Sequence, residues 1–244
     1  MTMARTMSQF KLSEKDVETF YTEGYIYAPK FIDRQTVDAL NREHEAFANR
    51  QDAKTKAGEW KSSGFTHFDE HAGQFPETVK MMQHPEIVET LEGILSDGVR
   101  LWLGMYAVVP PYGKGLEWHQ DNQYTHVLGH MLNVFIALDE ITQENAGLWI
   151  APGSHLLGRQ PDLNAAGSEH RRAAEPANGI PCQPMQPGDA VIFHRETLHH
   201  SKENRTDQPR RAFAFQAAAY SCRYASTGKL LSDRELLAPR KAGA

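Results

Sequence analysis

The residues of this sequence with the clearest chemical potential are His119 and Asp121, which stand two positions apart in the segment WHQDN. In a β-strand, side chains two positions apart point to the same face, so an H-x-D pattern places an imidazole and a carboxylate side by side. One histidine from a later strand would complete a set of two nitrogen ligands and one oxygen ligand. That set suits non-heme Fe(II) and leaves positions open for a cosubstrate and O2.

A second marker lies far downstream, in the segment LHHSKEN of residues 198–204, and the pair Arg210-Arg211 follows it. His199 and His200 are both candidates for the third ligand. In an extended segment the two side chains point to opposite faces, so only one of them can reach a metal. Spacing alone leaves the choice between them open.

Together these segments resemble the phytanoyl-CoA dioxygenase family of Fe(II)/2-oxoglutarate-dependent oxygenases. The resemblance covers roughly residues 11–216 and is carried by residues 118–124 (WHQDNQY), 137–139, 145–147 (NAG), 151–155 (APGSH), 188–189 (GD), 199–204 and Arg210. It implies a double-stranded β-helix (jelly-roll) core and an iron centre. It also implies oxidation of a small molecule by O2, with 2-oxoglutarate converted to succinate and CO2.

The resemblance also assigns roles to individual residues. It places His119, Asp121 and His199 at the three metal-ligand positions and implies no catalytic side chain beyond them. His200 stands where relatives usually carry glycine. Related oxygenases that halogenate replace the carboxylate with a small residue, so Asp121 favours hydroxylation of a C–H bond.

A 2-oxoglutarate site needs a cation for the distal carboxylate, and a guanidinium binds it through a bidentate fork. On a strand, Arg210 shares its face with two alanines and Gln216, whereas Arg211 shares its face with two phenylalanines. Small neighbours leave room for a cosubstrate, and phenylalanines indicate packing against helices. We therefore predict that Arg210 binds 2-oxoglutarate, where the family's spacing also places this arginine, with Ser201 and Asn133 as further hydrogen-bonding candidates.

The alternative hypothesis is a non-oxidative, cupin-like metalloprotein, either an isomerase or a binding module. A cupin would normally carry H-x-H followed by a glutamate. In this chain Asp121 occupies the second position of the pattern, and Arg210 would have no role.

The elements that position these residues change from helical to extended near Gly98. Helices are predicted over residues 13–22, 33–49 and 85–95. Strands are predicted over residues 99–109, 116–119, 131–138, 147–150, 182–185, 190–194, 198–200 and 211–220. Short strands separated by turns favour a mainly β fold with helical additions, namely a jelly-roll, cupin-like core flanked by N-terminal helices.

We predict a single domain over residues 1–244. It comprises a helical layer over 1–98, the jelly-roll core over 99–222 and a C-terminal tail over 223–244. Residues 51–74 are polar and rich in glycine, which indicates a loop that approaches the site. The insert 155–179 has no strand period, and long loops of this kind are usually functional or disordered, so we interpret it as a lid over the barrel mouth.

Composition narrows the class of protein. A chain of 244 residues that is 40% hydrophobic can bury one large core. A net charge of −5 argues against nucleic acid or an anionic membrane as the main partner. No apolar run approaches the roughly 20 residues that span a bilayer, and the two cysteines give no disulfide framework. The expected setting is the cytoplasm, and the expected partners are O2 and a small-molecule substrate.

Overall fold

The computed structural model describes residues 6–54, 64–67, 72–164 and 170–238 of the chain. The fold is mainly β with additional helices, as predicted. The α-helices of the described residues are α1 (Glu14–Glu23), α2 (Arg34–Lys54), α3 (Pro76–Met82) and α4 (Pro85–Leu95). The strands are β1 (Tyr25–Ala28), β2 (Gly64–His67), β3 (Val99–Val109), β4 (Val127–Leu128), β5 (Met131–Ala137), β6 (Leu148–Ile150), β7 (Ile180–Pro181), β8 (Ala190–His194), β9 (His199–Ser201), β10 (Arg210–Ala219) and β11 (Arg223–Tyr224).

The first helix shows how local sequence sets the elements. Ser13 caps α1, because its hydroxyl accepts from the backbone N–H of Asp16 at 3.2 Å and the Asp16 carboxylate accepts from the Ser13 N–H at 2.9 Å. Gly24 ends the helix in a left-handed conformation with φ of 83°. The chain then turns directly into β1.

Six antiparallel strands form the main sheet, in the order β1-β8-β5-β10-β3-β2. In it, β10 lies between β3 and β5, so its side chains are flanked on both sides. A three-stranded sheet has the order β7-β6-β9, and β11 pairs with β4. None of the helices in the described part of the chain combines the length and apolar character needed to cross a bilayer.

The main sheet has two differently packed faces. Phe213 and Phe215 of β10 lie in a hydrophobic cluster with the helices. Alternate residues of the same strand, Ala212 and Ala214, lie in a second cluster that includes Leu148 and Ile150 of β6. The small sheet therefore packs over the inward face of the main sheet, and the candidate site lies between the two sheets.

Some predicted elements differ from the structure. The N-terminal segment is not only helical, because it supplies β1 and β2 at the two edges of the main sheet. The predicted loop over residues 51–74 is partly wrong: α2 continues to Lys54, β2 occupies Gly64–His67, and residues 55–63 and 68–71 lie outside the described residues.

Two predicted strands are wrong. Residues 182–185 contact two different partners, Leu148 and Ile141, and Pro184 lacks the N–H that would continue a ladder. Residues 116–119 run beside β9 but pair with it regularly only at His119. Both segments show the alternation of apolar residues that predicts a strand. Neither of them pairs with a neighbouring strand in continuous register.

Candidate functional site

His119, Asp121 and His199 come together although they belong to irregular segments and a short strand. His119 and His199 exchange two backbone hydrogen bonds of 3.0 Å. Asp121 begins a single 3₁₀ turn rather than lying on a strand, so the same-face argument for H-x-D does not describe the backbone here. Nevertheless, one ligand atom from each of the three side chains lies within 4.8 Å of the other two.

Backbone carbonyls fix the orientation of both histidines. Nδ1 of His119 donates to the Glu117 carbonyl at 2.7 Å, and Nδ1 of His199 donates to the Thr197 carbonyl at 3.0 Å. A carbonyl oxygen only accepts, so the proton resides on Nδ1 and the lone pair on Nε2. His199 Nε2 is 3.9 Å from the Asp121 carboxylate. Histidines that bind metals are oriented in this way.

The aspartate is held from two sides. The Asn133 side-chain amide donates to Oδ2 of Asp121 at 2.8 Å. The buried Arg195 donates to the backbone carbonyls of Asp121 at 3.4 Å and Thr125 at 3.1 Å. These contacts fix the carboxylate and leave Oδ1 directed towards His199.

All three residues of the cluster are buried, with exposed fractions of 4% for His119, 7% for Asp121 and 6% for His199. Burial, reinforced by the neighbouring His199, lowers the pKa of His119. His119 is therefore neutral at physiological pH, the state in which an imidazole can bind a cation.

His200 points to the other side of β9. It pairs with Trp149 across β6, and its ring stacks against Trp118 with centroids 4.2 Å apart. Burial lowers the pKa of His200 to about 4, with a further contribution from Lys202. The side chain thus packs in an aromatic cluster away from the other three residues.

A cavity opens beside the His119–Asp121–His199 cluster. Largely apolar clefts that contain a few polar groups are typical of small-molecule sites. Its walls include the inward face of β10 and neighbouring strands, and they are largely apolar. Polar lining residues besides the cluster are Asn133, His200, Ser201, Arg210 and Gln216.

Arg210 lies at the far end of this wall from Gln216. It is 3% exposed, and its Nε and Nη1 have no hydrogen-bond partner among the described residues. Burial lowers the pKa of Arg210 to about 10, so the group stays charged at neutral pH. A buried guanidinium whose Nε and Nη1 both lack a hydrogen-bond partner is matched in charge to a carboxylate.

Arg211 lies on the opposite face, the arrangement that strand alternation predicts. It donates to Asp139 through Nη2 at 2.7 Å and Nε at 3.0 Å, and to Glu45 of α2 through Nη1 at 2.7 Å. The hydrogen bond to Asp139 raises the pKa of Arg211. The carboxylates of Asp139 and Glu45 therefore balance the positive charge of Arg211.

The other two predicted cosubstrate contacts also line the cavity. The hydroxyl of Ser201 accepts from the backbone N–H of Leu116 at 3.2 Å and retains its own proton for donation. Asn133 uses one N–H for Asp121, so only its second N–H is available to a cosubstrate. Its Oδ1 has no partner among the described residues.

Sequence reasoning missed the roles of Arg195 and Gln216. Arg195 reaches carbonyls about seventy positions away, and no local signal marks such a contact. Gln216 stands on the same strand face as Arg210, so the alternation that selected Arg210 also placed Gln216 in the wall. Its Oε1 is buried without a partner among the described residues.

The first part of the insert 155–179 is attached to the segment that carries Asp121. Arg159 donates to the carbonyl of Asn122 at 2.9 Å, and Gln120 donates to the carbonyl of Gly158 at 3.0 Å. Residues 165–169 lie outside the described residues. Arg159 thus supports the backbone beside the cluster.

Comparison with known proteins places this geometry in a family. The chain matches the phytanoyl-CoA dioxygenase (PhyH) family over residues 20–212. Phytanoyl-CoA dioxygenase domain-containing protein 1 of Rattus norvegicus is 34% identical over 117 residues, which cover 43% of this chain and 40% of the rat protein. Methylphosphonate hydroxylase of Gimesia maris is 37% identical over 101 residues, which cover 41% of this chain and 38% of that protein. The chain thus spans about 40% of the length of these relatives.

Solved structures share the fold at lower identity. The non-heme α-ketoglutarate-dependent epimerase SnoN of nogalamycin biosynthesis superposes with a TM-score of 0.73 at 20% identity, covering 95% of this chain and 98% of SnoN. A second SnoN structure, with a TM-score of 0.69 at 21% identity over 88% of this chain and 87% of SnoN, holds Fe3+, α-ketoglutarate and nogalamycin RO. Because the family match covers most of the chain, the protein belongs to the phytanoyl-CoA dioxygenase family of iron- and 2-oxoglutarate-dependent oxygenases.

Proposed function

We propose that the protein is an Fe(II)/2-oxoglutarate-dependent dioxygenase that hydroxylates a C–H bond of a small molecule. The observation that carries the proposal is the presence, in one cavity, of two imidazoles, a carboxylate and a buried guanidinium with two nitrogens that lack a hydrogen-bond partner among the described residues. The facing sheets are interpreted as a double-stranded β-helix, with residues 155–179 as a lid.

The donor set fits a metal of this kind. His119 and His199 would bind it through Nε2, since Nδ1 of each ring donates to the backbone. Asp121 would bind it through Oδ1, since Oδ2 accepts from Asn133. Two imidazoles and one carboxylate on one side of Fe(II) leave the remaining positions open.

The wall beside the cluster fits 2-oxoglutarate. Arg210 would bind the distal carboxylate through its guanidinium, which has unpaired N–H groups, and Ser201 and the second N–H of Asn133 would donate to carboxylate oxygens. Between Arg210 and the row of Asn133, the inward residues of β10 are Ala212 and Ala214. Alanines leave the space that a five-carbon dicarboxylate requires.

When bound, the iron and 2-oxoglutarate supply the oxidising chemistry, with O2 as the oxidant and succinate and CO2 as products. The chain contributes position and environment. Asn133 holds the Asp121 carboxylate, Arg195 holds the backbone carbonyl of Asp121, and other backbone carbonyls hold the two imidazoles. The apolar wall keeps water from the reacting centre.

The cupin-like alternative, a non-oxidative isomerase or binding module, is disfavoured by family membership and by Arg210. A cupin without 2-oxoglutarate gives no reason to bury a guanidinium whose N–H groups lack acceptors, which costs on the order of 1–3 kcal/mol or more.

The test is turnover of the cofactors alone. Protein loaded with one equivalent of Fe(II) should consume O2 and form succinate from 2-oxoglutarate slowly without a substrate, and His199→Ala should do neither. Succinate is measured by chromatography and O2 by an electrode. If wild-type protein binds iron but forms no succinate, with or without a panel of metabolites, the oxygenase proposal fails.

A further inference from the structure

Gln216 is the polar residue of the cavity to which the proposed mechanism gives no role. It lies on the inward face of β10 and is 3% exposed, and its Oε1 has no partner among the described residues. An unpaired buried amide oxygen costs on the order of 1–3 kcal/mol. Because this side chain lines the cavity, the missing partner is one that a ligand can provide.

The position of Gln216 relates it to the reacting centre. It pairs with Asn133 across β5, and Asn133 donates to Asp121 at 2.8 Å. Directly opposed residues on antiparallel strands have Cβ atoms about 4.5–5.5 Å apart. A group bound to Gln216 would therefore lie one side chain away from the His119–Asp121–His199 cluster.

The two amides together present an acceptor. The orientation of Asn133 is fixed, because the Asp121 carboxylate only accepts and must face the N–H group. This leaves Oδ1 of Asn133 unpaired beside Gln216. If the Gln216 amide turned to donate to that oxygen, its own Oε1 would need a donor other than Asn133, whose second N–H the proposed function gives to 2-oxoglutarate. With 2-oxoglutarate bound, a carbonyl oxygen of the pair therefore requires a hydrogen-bond donor.

Charge narrows the chemistry of that donor. Besides the imidazoles, the described lining residues include one carboxylate, Asp121, and one guanidinium, Arg210, and the proposed cofactors use both. No lysine or further arginine lines the described wall for an anionic substrate, and no further carboxylate lines it for an ammonium group. The wall around Gln216 is apolar, with Leu103 opposite it on β3.

We propose that the substrate is a neutral, largely apolar molecule whose hydroxyl or amide N–H donates to the Gln216–Asn133 pair. This inference rests on the proposed function, since it takes the cluster as the reaction centre. It makes Gln216 a specificity-determining residue that holds one polar group of the substrate and thereby selects which neighbouring C–H faces the metal.

The test uses a panel of neutral alcohols and secondary amides, each with its O-methyl or N-methyl analogue, and matched carboxylate and ammonium probes. Binding to anaerobic protein loaded with Fe(II) and 2-oxoglutarate is measured by ligand-observed NMR. Loss of one hydrogen bond of about 1.4 kcal/mol predicts that donors bind about tenfold more tightly than their methylated analogues. In Gln216→Met, which keeps the side-chain length, this preference should disappear.

Gln143→Met is the matched control. Gln143 also has a buried Oε1 without a partner among the described residues, but its amide donates to the carbonyls of Leu148 and Cys182, and it is not among the residues that line the cavity. This variant should keep the tenfold preference.

Four results would overturn the inference: equal binding of donors and methylated analogues, tighter binding of charged probes, no binding of any donor probe at millimolar concentration, or a preference that persists in Gln216→Met.

The absorption band of Fe(II) with 2-oxoglutarate distinguishes a failure of this inference from a failure of the proposed function. If the band forms and the preference is absent, the inference about Gln216 alone is wrong. If the band does not form, the proposed function is wrong as well.

Discussion

Arg210 and Arg211 are adjacent on one strand, yet their guanidinium groups have opposite surroundings. Arg211 is half-buried and bound by Asp139 and Glu45, on the face that packs against the helices. Arg210 is fully buried on the cavity face, with two nitrogen atoms that lack a partner among the described residues. Burial lowers the pKa of Arg210, whereas the Asp139 carboxylate raises that of Arg211.

The same contrast separates His199 from His200. His199 is tied to the backbone through Nδ1 and directs Nε2 towards Asp121, while His200 stacks on Trp118. Arg211 forms ion pairs and His200 stacks on an aromatic ring, so both residues support the fold. Arg210 and His199 keep nitrogen atoms without a hydrogen bond on the cavity side, so both are available to a ligand. The predictions below test this distinction between the two faces.

The largest expected effect is on the metal. His199→Ala should abolish tight Fe(II) binding, because it removes one of three ligands, whereas His200→Ala should keep one Fe(II) per chain and most of the turnover. Anaerobic titration with Fe(II) compares the two variants. Iron retained by the His199 variant and lost from the His200 variant would reverse the assignment of faces.

The next effect concerns the cosubstrate. Arg210→Ala should weaken 2-oxoglutarate binding by about 3 kcal/mol, roughly a hundredfold, because the carboxylate loses a charged partner. Arg211→Ala should change that affinity little and instead lower the free energy of unfolding, since it leaves Asp139 without its guanidinium. Titration of 2-oxoglutarate and urea denaturation measure the two effects. A larger loss of affinity in the Arg211 variant would contradict the account.

A smaller effect is expected from the residue that orients the carboxylate. Asn133→Ala should weaken Fe(II) binding about 10–100-fold, because Asp121 loses the hydrogen bond that fixes Oδ2. The matched control is Asn41→Ala on α2, where the amide donates to the Leu138 carbonyl outside the cavity. Equal iron affinities of the two variants would show that Asn133 does not position the metal ligand.

The smallest expected effect is on the pH dependence of stability, through His44 of α2. Burial, aided by Arg211, lowers the pKa of His44 to about 4 from 6.5. The unfolded chain therefore binds more protons than the folded chain between these values, and stability falls as the pH drops from about 6.5 to about 4. His44→Gln should lose less stability over that window in urea denaturation. An unchanged pH dependence would exclude His44 as a contributor.

The sequence predicted much of this arrangement. The end of α1 follows from a local capping pattern, and the bounds of β3 and β8 follow from the alternation of apolar residues. Alternation on β10 also separated Arg210 from Arg211. It failed over residues 116–119, because alternation reports which side chains are buried and not whether a neighbouring strand pairs in continuous register.

The rest of the site depends on contacts that are distant in sequence. Arg195 reaches the backbone of Thr125, and Asn133 reaches Asp121 from a different strand. Residue type and order singled out His119 and Asp121, which do lie together, although Asp121 lies on a 3₁₀ turn. Their proximity was therefore predictable where the backbone conformation was not.

The most direct test of the central claim is an anaerobic crystal structure of the protein with Fe(II) and 2-oxoglutarate. The account predicts iron bound by Nε2 of His119, Oδ1 of Asp121 and Nε2 of His199, with the distal carboxylate on the guanidinium of Arg210. Iron bound by His200, or the carboxylate placed away from Arg210, would contradict it.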